Sequence, residues 1–299
     1  MCGIVGLHLR TPELYPELGA LLTGMLCEMS ERGADSAGVA VYGDARWSPP
    51  GRATVSVVAA PCTTDELAAL VTTQLSGVEA AVVPAGSVAL VNAAVEAPEL
   101  AAAVRAAVPD ALIVGYGDNV AVLKGVGHPR ELALAFGLPQ AQGWQGVGHT
   151  RMATESAVNA AGCHPYAVGP DQCLVHNGSF ANHATIRRRL RARGVQFESE
   201  NDTEVGARFV AQALADGHDI ETALKQLCME FDGFYTLLVS NRDSFAVVRD
   251  AIACKPALIA ETDDWVAMAS EYRAMVGLPG LERARLYEPE PERVYAWTR

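Results

Sequence analysis

The sequence has little that suits a nucleic-acid-binding or membrane protein. Charged residues make up 19% of the chain, the formal net charge is −12, and Lys and Arg form no long run. Nucleic-acid-binding domains present basic surfaces, so this balance argues against nucleic acid as the main ligand. No run of about 18 apolar residues exists, which is the length that predicts a transmembrane helix. We therefore expect neither nucleic acid nor a membrane as a partner.

Cysteines are few, and their spacing does not suit a disulfide framework. Their number is odd and no CxxC pair occurs among them. The N-terminus, MCGIVGLHLR, lacks the basic start and apolar stretch of a signal peptide. This pattern favours free thiols in a reducing compartment, and we expect a cytoplasmic protein. The seven cysteines are Cys2, Cys27, Cys62, Cys163, Cys173, Cys228 and Cys254.

The chain has 299 residues, which is enough for one large or two small domains with a sizeable core. Residues 3–9 predict a buried strand, and residues 17–31 predict a helix with one apolar stripe. Functional-looking residues resume at about 145. Helices predominate from about 182 to 230 and strands from 233 to 269. We expect residues 281–299, which are rich in Arg, Glu and Pro, to form a C-terminal tail.

Residues 48–143 differ in composition, being rich in Ala and Val, and we predict that they form an inserted subdomain. The element order is β-α-β-β-α-β-β-α, which contains the split β-α-β-β-α-β pattern of a ferredoxin-like unit. Its last two strands, 111–116 and 120–124, predict a hairpin across the sequence GDN. A small α+β subdomain would therefore interrupt the main domain of residues 1–280.

Cys2 is the first candidate catalytic residue. Removal of Met1 would place a thiol and a free α-amine on one residue, and an α-amine has a pKa of roughly 7.7–8.0. A base titrating near working pH is well suited to activate a nucleophile, so one residue could supply both groups. Taken alone, Cys2 is more often a small buried strand residue.

Two further segments offer candidate binding groups. In ERGADSAG, Arg32 and Asp35 could brace a turn beside a site, or the segment could be a solvated turn. In GHTRMAT, Arg151 and Thr154 could bind a substrate, because a guanidinium holds a carboxylate through two hydrogen bonds. A lone Arg is, however, usually a surface charge.

The sequences HNG and NDTEV supply the remaining candidates. After His176, the Asn177 side-chain amide and the Gly178 N–H are suitable donors to an oxyanion, although Asn-Gly is also an ordinary turn. Asp202 could bind a substrate ammonium, or it could cap a helix that begins at Thr203.

A metal site is an alternative for one part of the sequence. Cysteine and histidine ligands cluster within 14 residues, but their spacing does not match a zinc finger. We therefore predict no metal in this chain. The residues concerned are Cys163, His164, Cys173 and His176.

The ordered set MCGIVG, RGADSAG, GHTRMAT, HP, HNG and NDTE resembles the class II (N-terminal nucleophile) glutamine amidotransferases. The resemblance covers about 1–45 and 145–280, and it implies an α+β fold, a four-layer αββα sandwich. It also implies that Cys2 forms a γ-glutamyl thioester and that Asn177 and Gly178 form the oxyanion hole, with His176 beside them.

The resemblance also implies how the substrate is held. Arg151, helped by Thr154, would bind the α-carboxylate and Asp202 the α-amine, while Arg32 with Asp35 would support the cysteine. The sequence departs from the family at Glu155, where many members have His. That exchange places an anion near the site and puts the details of substrate handling in doubt.

The stretch RDAIACKPALIAETDDWVAMASEYRAM resembles the separate amidotransferase subunit of N-methylglutamate synthase and archaeal-type glutamate synthase assemblies. This likeness implies a hetero-oligomer whose partner subunits carry FMN and iron–sulfur clusters, with no cofactor in this chain. We expect glutamine or a γ-glutamylamide, such as γ-glutamylmethylamide, as substrate. The alternatives are a catalytically vestigial subunit, which would hold if Met1 stays attached, and a hydrolase of another amide.

Overall fold

The computed structural model describes residues 2–152 and 158–299, and these residues form fifteen strands and seven α-helices. The strands are β1 (Gly3–Leu9), β2 (Ser36–Tyr42), β3 (Ala53–Val58), β4 (Ala81–Ala85), β5 (Val88–Ala93), β6 (Leu112–Gly117), β7 (Val120–Val126), β8 (Gln145–Arg151), β9 (Cys173–Phe180), β10 (Gly233–Ser240), β11 (Ser244–Arg249), β12 (Leu258–Glu261), β13 (Trp265–Ala269), β14 (Arg285–Tyr287) and β15 (Tyr295–Thr298). The helices are α1 (Leu18–Glu28), α2 (Thr64–Gln74), α3 (Ala97–Ala107), α4 (Pro129–Phe136), α5 (His183–Ala192), α6 (Asp202–Ala215) and α7 (Ile220–Glu230).

Two antiparallel sheets form the centre of the molecule. The large sheet has the order β14-β12-β13-β1-β8-β2-β7, and the second sheet has the order β15-β11-β10-β9. Apolar residues from both sheets, such as Val5, Val175 and Leu238, share one core. A Cβ on Gly6 would clash with Leu238 and Phe245 of the facing sheet, so glycine at this position allows the two sheets to approach closely.

Helices cover the outer face of each central sheet. Helix α1 buries Leu18, Leu22 and Met25 in the core of the large sheet, where each buried side chain contributes about 1.5–3 kcal/mol. Helices α5, α6 and α7 pack on the other side against the outer face of the second sheet. The layers therefore follow the order α-β-β-α, and the predicted four-layer sandwich is confirmed.

The third sheet has the order β4-β5-β3-β6, with all neighbours antiparallel, and α2 and α3 pack on it around a separate core. This is the split β-α-β-β-α-β arrangement of a ferredoxin-like unit, as the sequence predicted. Helix α2 begins with a capping box, in which Thr63 accepts from the Glu66 N–H and the Glu66 carboxylate accepts from the Thr63 N–H.

The predicted hairpin at the end of this segment is wrong. Strand β6 pairs with β3 in the small sheet, whereas β7 pairs with β2 along seven residues at the edge of the large sheet. Helix α4 likewise packs against the core of the large sheet through Ala133 and Phe136. The local pattern could not show this, because two strands joined by a tight turn normally pair with each other. The domain limits 48 and 143 stay predictions.

The predicted tail also takes part in both central sheets. Strand β14 pairs with β12 and β15 pairs with β11, so each adds an edge strand to one sheet. These strands have only three and four residues, which is too short for an alternating pattern to be recognised in the sequence.

All seven cysteines are free thiols. Among the helices described above, none has the length and apolarity needed to cross a bilayer.

Candidate active site

An open cleft of about 580 Å³ lies where the start of β1, the end of β8, strand β9 and the start of α6 meet. Six of the predicted site residues line it, although they come from positions up to 200 residues apart. The cleft is lined by Cys2, Arg151, Met152, His164, His176, Asn177, Gly178, Ser179, His183, Glu200, Asn201, Asp202, Thr203, Phe234 and Lys255.

Cys2 directly precedes β1 and is half-buried at the cleft. Gly3 pairs with Thr150 of β8, so the antiparallel register brings Cys2 beside Arg151. The Cys2 Sγ lies 4.0 Å from the Met152 carbonyl oxygen. The structure therefore places the predicted nucleophile next to the predicted carboxylate-binding arginine.

Arg32 reaches Cys2 from behind the cleft. Its Nε donates to the Cys2 carbonyl oxygen at 2.9 Å, and its Nη1 donates to the Glu271 carboxylate at 2.6 Å. The hydrogen bond from Arg32 lowers the pKa of Glu271. Arg273 joins this network by pairing with both Glu271 and Glu31. The buried guanidinium thus fixes the backbone of the cysteine.

Asp35 contacts the end of β8, beside the site, through a backbone hydrogen bond. Its N–H donates to the Arg151 carbonyl oxygen at 3.2 Å, and its carbonyl accepts from the Gly127 N–H at 3.0 Å. The turn that the sequence placed beside a site therefore braces the end of β8, where Arg151 lies.

Asn177 and Gly178 lie on β9, opposite Cys2. The Asn177 side chain is buried, and its Nδ2 donates to the Cys2 carbonyl oxygen at 3.2 Å. Gly178 is exposed to the cleft with a φ of +146°, and a Cβ there would clash with the Phe234 carbonyl oxygen. Only glycine fits this conformation and this close approach, which keeps the backbone open to the cleft.

Asp202 is the first residue of α6, and it is not the helix cap. Asn201 caps the helix, because its Oδ1 accepts from the Thr203 N–H at 2.9 Å. The Asp202 Oδ2 accepts from the Phe180 N–H at 2.8 Å, which fixes the carboxylate at the wall of the cleft. The alternative in which Asp202 caps the helix is therefore wrong, and its charge lies at the cleft.

Three buried histidines, His149, His164 and His176, lie at the base of the cleft. Of these, only His149 was not a candidate from the sequence. The Thr203 hydroxyl hydrogen-bonds to His164 Nε2 at 3.0 Å and to His176 Nδ1 at 2.9 Å. The ring of His164 stacks on that of His149 at 3.9 Å. Burial lowers the pKa of His149 to about 3 and also lowers those of His164 and His176. These neutral rings form a rigid floor under the candidate substrate site.

Lys255 and Phe234 form a second wall of the cleft that sequence reasoning missed. The Lys255 ammonium lies 5.1 Å from the centroid of the Phe234 ring, a cation–π contact. Phe234 pairs with Ser179 across β9 and β10, which brings it beside the Asn-Gly pair. Lys255 stands in the sequence RDAIACKP, which is part of the stretch that resembles the amidotransferase subunits. No sequence pattern indicated that the lysine side chain lies at the site.

Two of the remaining sequence predictions, Thr154 and Glu155, lie outside the described residues. Within residues 2–152 and 158–299, no group of three or more His, Cys, Asp and Glu side chains is arranged to hold a metal ion. Of the four residues considered for zinc, His164 and His176 share the Thr203 hydroxyl. The two cysteines have other surroundings, because Cys163 Sγ contacts the Asn159 carbonyl and Cys173 lies in the core between the sheets.

Comparisons with known proteins identify relatives of this chain. Residues 149–277 match a family model described as a glutamine amidotransferase domain. The glutamine amidotransferase-like protein GlxB of Rhizobium meliloti is 47% identical over 298 residues, covering 99% of this chain and 98% of the relative. A putative glutamine amidotransferase of Methanothermobacter thermautotrophicus is 29% identical over 314 residues and 99% of both chains.

Solved structures show the same fold at low identity. The glutamine phosphoribosylpyrophosphate amidotransferase of B. subtilis matches with a TM-score of 0.58 at 18% identity, covering 99% of this chain and 49% of that one. An allosteric regulatory enzyme of purine biosynthesis matches with a TM-score of 0.61 at 18% identity, and the chain spans 46% of its length. From the cysteine-containing cleft, the αββα sandwich and the full-length relative in R. meliloti, the chain belongs to the class II glutamine amidotransferase family.

Proposed function

We propose that this chain hydrolyses the γ-amide of glutamine, or of a γ-glutamylamide, and passes the released amine to a partner synthase. One observation supports this most strongly. Cys2, Arg151, Asn177 and Asp202 come from four separate elements and meet in a single cleft. Each has the chemistry that one end of the substrate requires.

The substrate would be held by opposite charges. The Arg151 guanidinium suits the α-carboxylate, since it can form two parallel hydrogen bonds. The Asp202 carboxylate suits the α-ammonium, with Thr154 assigned to support at the carboxylate end. These contacts direct the γ-amide toward the Cys2 thiol, and they distinguish an α-amino acid from other amides.

In the first step, the α-amine of Cys2 takes the thiol proton and the sulfur attacks the amide carbon. The carbonyl π electrons move onto oxygen, and the oxyanion accepts hydrogen bonds from Asn177 Nδ2 and the Gly178 N–H. The intermediate collapses, the C–N bond breaks, and the proton returns from the ammonium to the leaving amine. A thioester to Cys2 remains.

In the second step, water attacks the thioester and the α-amine of Cys2 accepts its proton. The C–S bond then breaks, glutamate leaves, and the thiol is restored. Arg32 supports both steps because it holds the Cys2 carbonyl oxygen. The mechanism needs a free amine on Cys2, and therefore the removal of Met1.

The test combines activity with intact mass. Purified chain should release ammonia from L-glutamine, and its mass should lack Met1. Cys2→Ala should abolish release, while Cys62→Ala, which changes a half-buried cysteine between β3 and α2, should keep it. Fully retained Met1 together with no ammonia release would instead favour the alternative of a vestigial structural subunit.

The synthase is proposed to be N-methylglutamate synthase, with FMN and iron–sulfur clusters in its other subunits. The support is the likeness of the stretch from Arg249 to Met275 to the amidotransferase subunit of such assemblies. The assembled complex would then release methylamine from γ-glutamylmethylamide. Ammonia release from glutamine without any methylamine release would limit the substrate to glutamine.

A further inference from the structure

Lys124 is an unusual lysine for this chain. The sequence contains three lysines, and Lys225 is exposed on α7 while Lys255 lines the cleft. Lys124 instead lies on β7 with 3% of its surface exposed. Burying an ammonium is costly unless good hydrogen bonds compensate for lost water, so its partners define what it does.

Those partners are two carbonyl groups of the loop before β9. The Lys124 Nζ donates to the Cys163 carbonyl oxygen at 2.9 Å and to the Pro165 carbonyl oxygen at 3.3 Å. It also lies 5.0 Å from the centroid of the Tyr166 ring. The ammonium therefore holds the backbone on both sides of one residue, His164.

His164 in turn contacts the start of α6. Its Nε2 hydrogen-bonds to the Thr203 hydroxyl at 3.0 Å, and its ring is fixed between His149 and Tyr166. Thr203 directly follows Asp202. A continuous set of contacts thus runs from the Lys124 ammonium through His164 and Thr203 to the carboxylate at the cleft.

We propose that Lys124 is a positioning residue for the substrate-ammonium site, acting through His164 and Thr203 on Asp202. This rests on the proposed function, since it is glutamine whose ammonium Asp202 would bind. Burial lowers the pKa of Lys124 to about 8, so the side chain carries its charge at neutral pH. Without it, the carbonyls of Cys163 and Pro165 lose their buried donor, and the loop is free to move His164 away from Thr203.

Lys124→Met tests this, because methionine has nearly the same length and no donor. We expect KM for glutamine to rise about tenfold or more, with kcat within about threefold. A loss of folded protein alone lowers the apparent kcat and leaves KM unchanged, and that result would overturn the proposal. Lys225→Met, on the exposed face of α7, is the matched control and should change neither value.

Two further variants trace the contacts. Lys124→Arg keeps a buried cationic donor and should recover most of the lost affinity. Thr203→Val removes the hydroxyl but keeps the shape of the side chain, so it breaks the same chain of contacts. If Lys124 acts through Thr203, the double variant raises KM no more than the larger single effect. If the two changes instead raise KM by the product of their single effects, that result would count against the proposed route.

Nuclear magnetic resonance on the unaltered chain keeps the proposal testable if variants do not fold. With ¹⁵N-labelled lysine and histidine, the Lys124 ammonium should give protected proton signals at pH 6 with nuclear Overhauser contacts to residues 163–165. Absence of protection or of those contacts would overturn the proposal. This readout does not require glutamine hydrolysis, so an inactive chain with these contacts would refute the proposed function and leave the Lys124 contacts intact.

Discussion

The side-chain amide of Asn177 donates to the carbonyl oxygen of Cys2 at 3.2 Å, which joins the second sheet to the residue directly before β1 of the large sheet. An amide nitrogen carries two N–H donors. One holds the backbone of Cys2, and in the proposed mechanism the other donates to the substrate oxyanion. If that proposal holds, positioning of the nucleophile and stabilisation of the charge both depend on one side chain.

Asn177→Ala should lower kcat for glutamine by about 10²–10³, the usual cost of removing one oxyanion donor. KM should change little, because the ground-state amide gains less from this contact than the transition state does. Steady-state kinetics with glutamine measure both values. A kcat within about threefold of the unaltered chain would show that Asn177 only holds Cys2.

Asp202→Asn should raise KM for glutamine about tenfold or more, because it removes the charge that pairs with the substrate ammonium. The asparagine oxygen can still accept from the Phe180 N–H, so the start of α6 should stay in place. Asp216→Asn, at the exposed end of the same helix, is the matched control. Equal KM values for the two variants would contradict the assigned role.

Arg151→Lys should also raise KM for glutamine, since lysine keeps the charge but loses the two parallel hydrogen bonds. We expect Arg151→Ala to raise it further. The rise in KM should be smaller for glutamine analogues that lack the α-carboxylate. Arg191→Ala, an exposed arginine on α5, provides the comparison, and an unchanged KM in the Arg151 variants would discredit the assignment.

Glu271→Gln should lower kcat about tenfold, because Arg32 loses its anionic partner and holds the Cys2 carbonyl oxygen less rigidly. Glu31→Gln removes the outer member of the same network, which is more than four-fifths exposed, and should have little effect. Kinetics of both variants with glutamine test this. Equal decreases in kcat for the two variants would show that the network acts as a whole and not through Arg32.

The protein should lose stability on acidification below pH 6.5. Burial holds the pKa of His149 near 3, so the folded chain cannot take up the proton that the unfolded histidine binds below about 6.5. The free energy of unfolding therefore falls as pH drops through this window, by ~1.4 kcal/mol per pH unit for each such histidine. His164 and His176 add to the slope in the same direction.

Urea unfolding at pH 7, 6 and 5 measures that slope. His149→Gln removes one titrating group and keeps a donor for the His176 carbonyl oxygen, so its slope should be shallower. His218→Gln, which changes an exposed histidine, should leave the slope unchanged. Identical slopes for His149→Gln and the unaltered chain would show that this histidine is not buried neutral.

Much of the fold could be predicted from the sequence, because its patterns are local. The apolar stripe of α1, the short apolar runs of β10 and β11 and the split β-α-β-β-α-β order need only neighbouring residues to be recognised. The pairing of β7 with β2, and of β14 and β15 with the two central sheets, joins residues far apart in sequence. Such pairings depend on the packed core and leave no local signal.

For the candidate site, the sequence by itself determined which groups are present and in which order: a thiol at position 2, an arginine in GHTR, an Asn-Gly pair and the acid in NDTEV. Their proposed roles stay predictions. Only the tertiary structure decided that Lys124 holds the His164 loop, that Lys255 lies against Phe234, and that Glu271 supports Arg32. A lysine on a strand is usually solvated, and its role emerges only when folding encloses it among carbonyl groups that no sequence pattern places beside it.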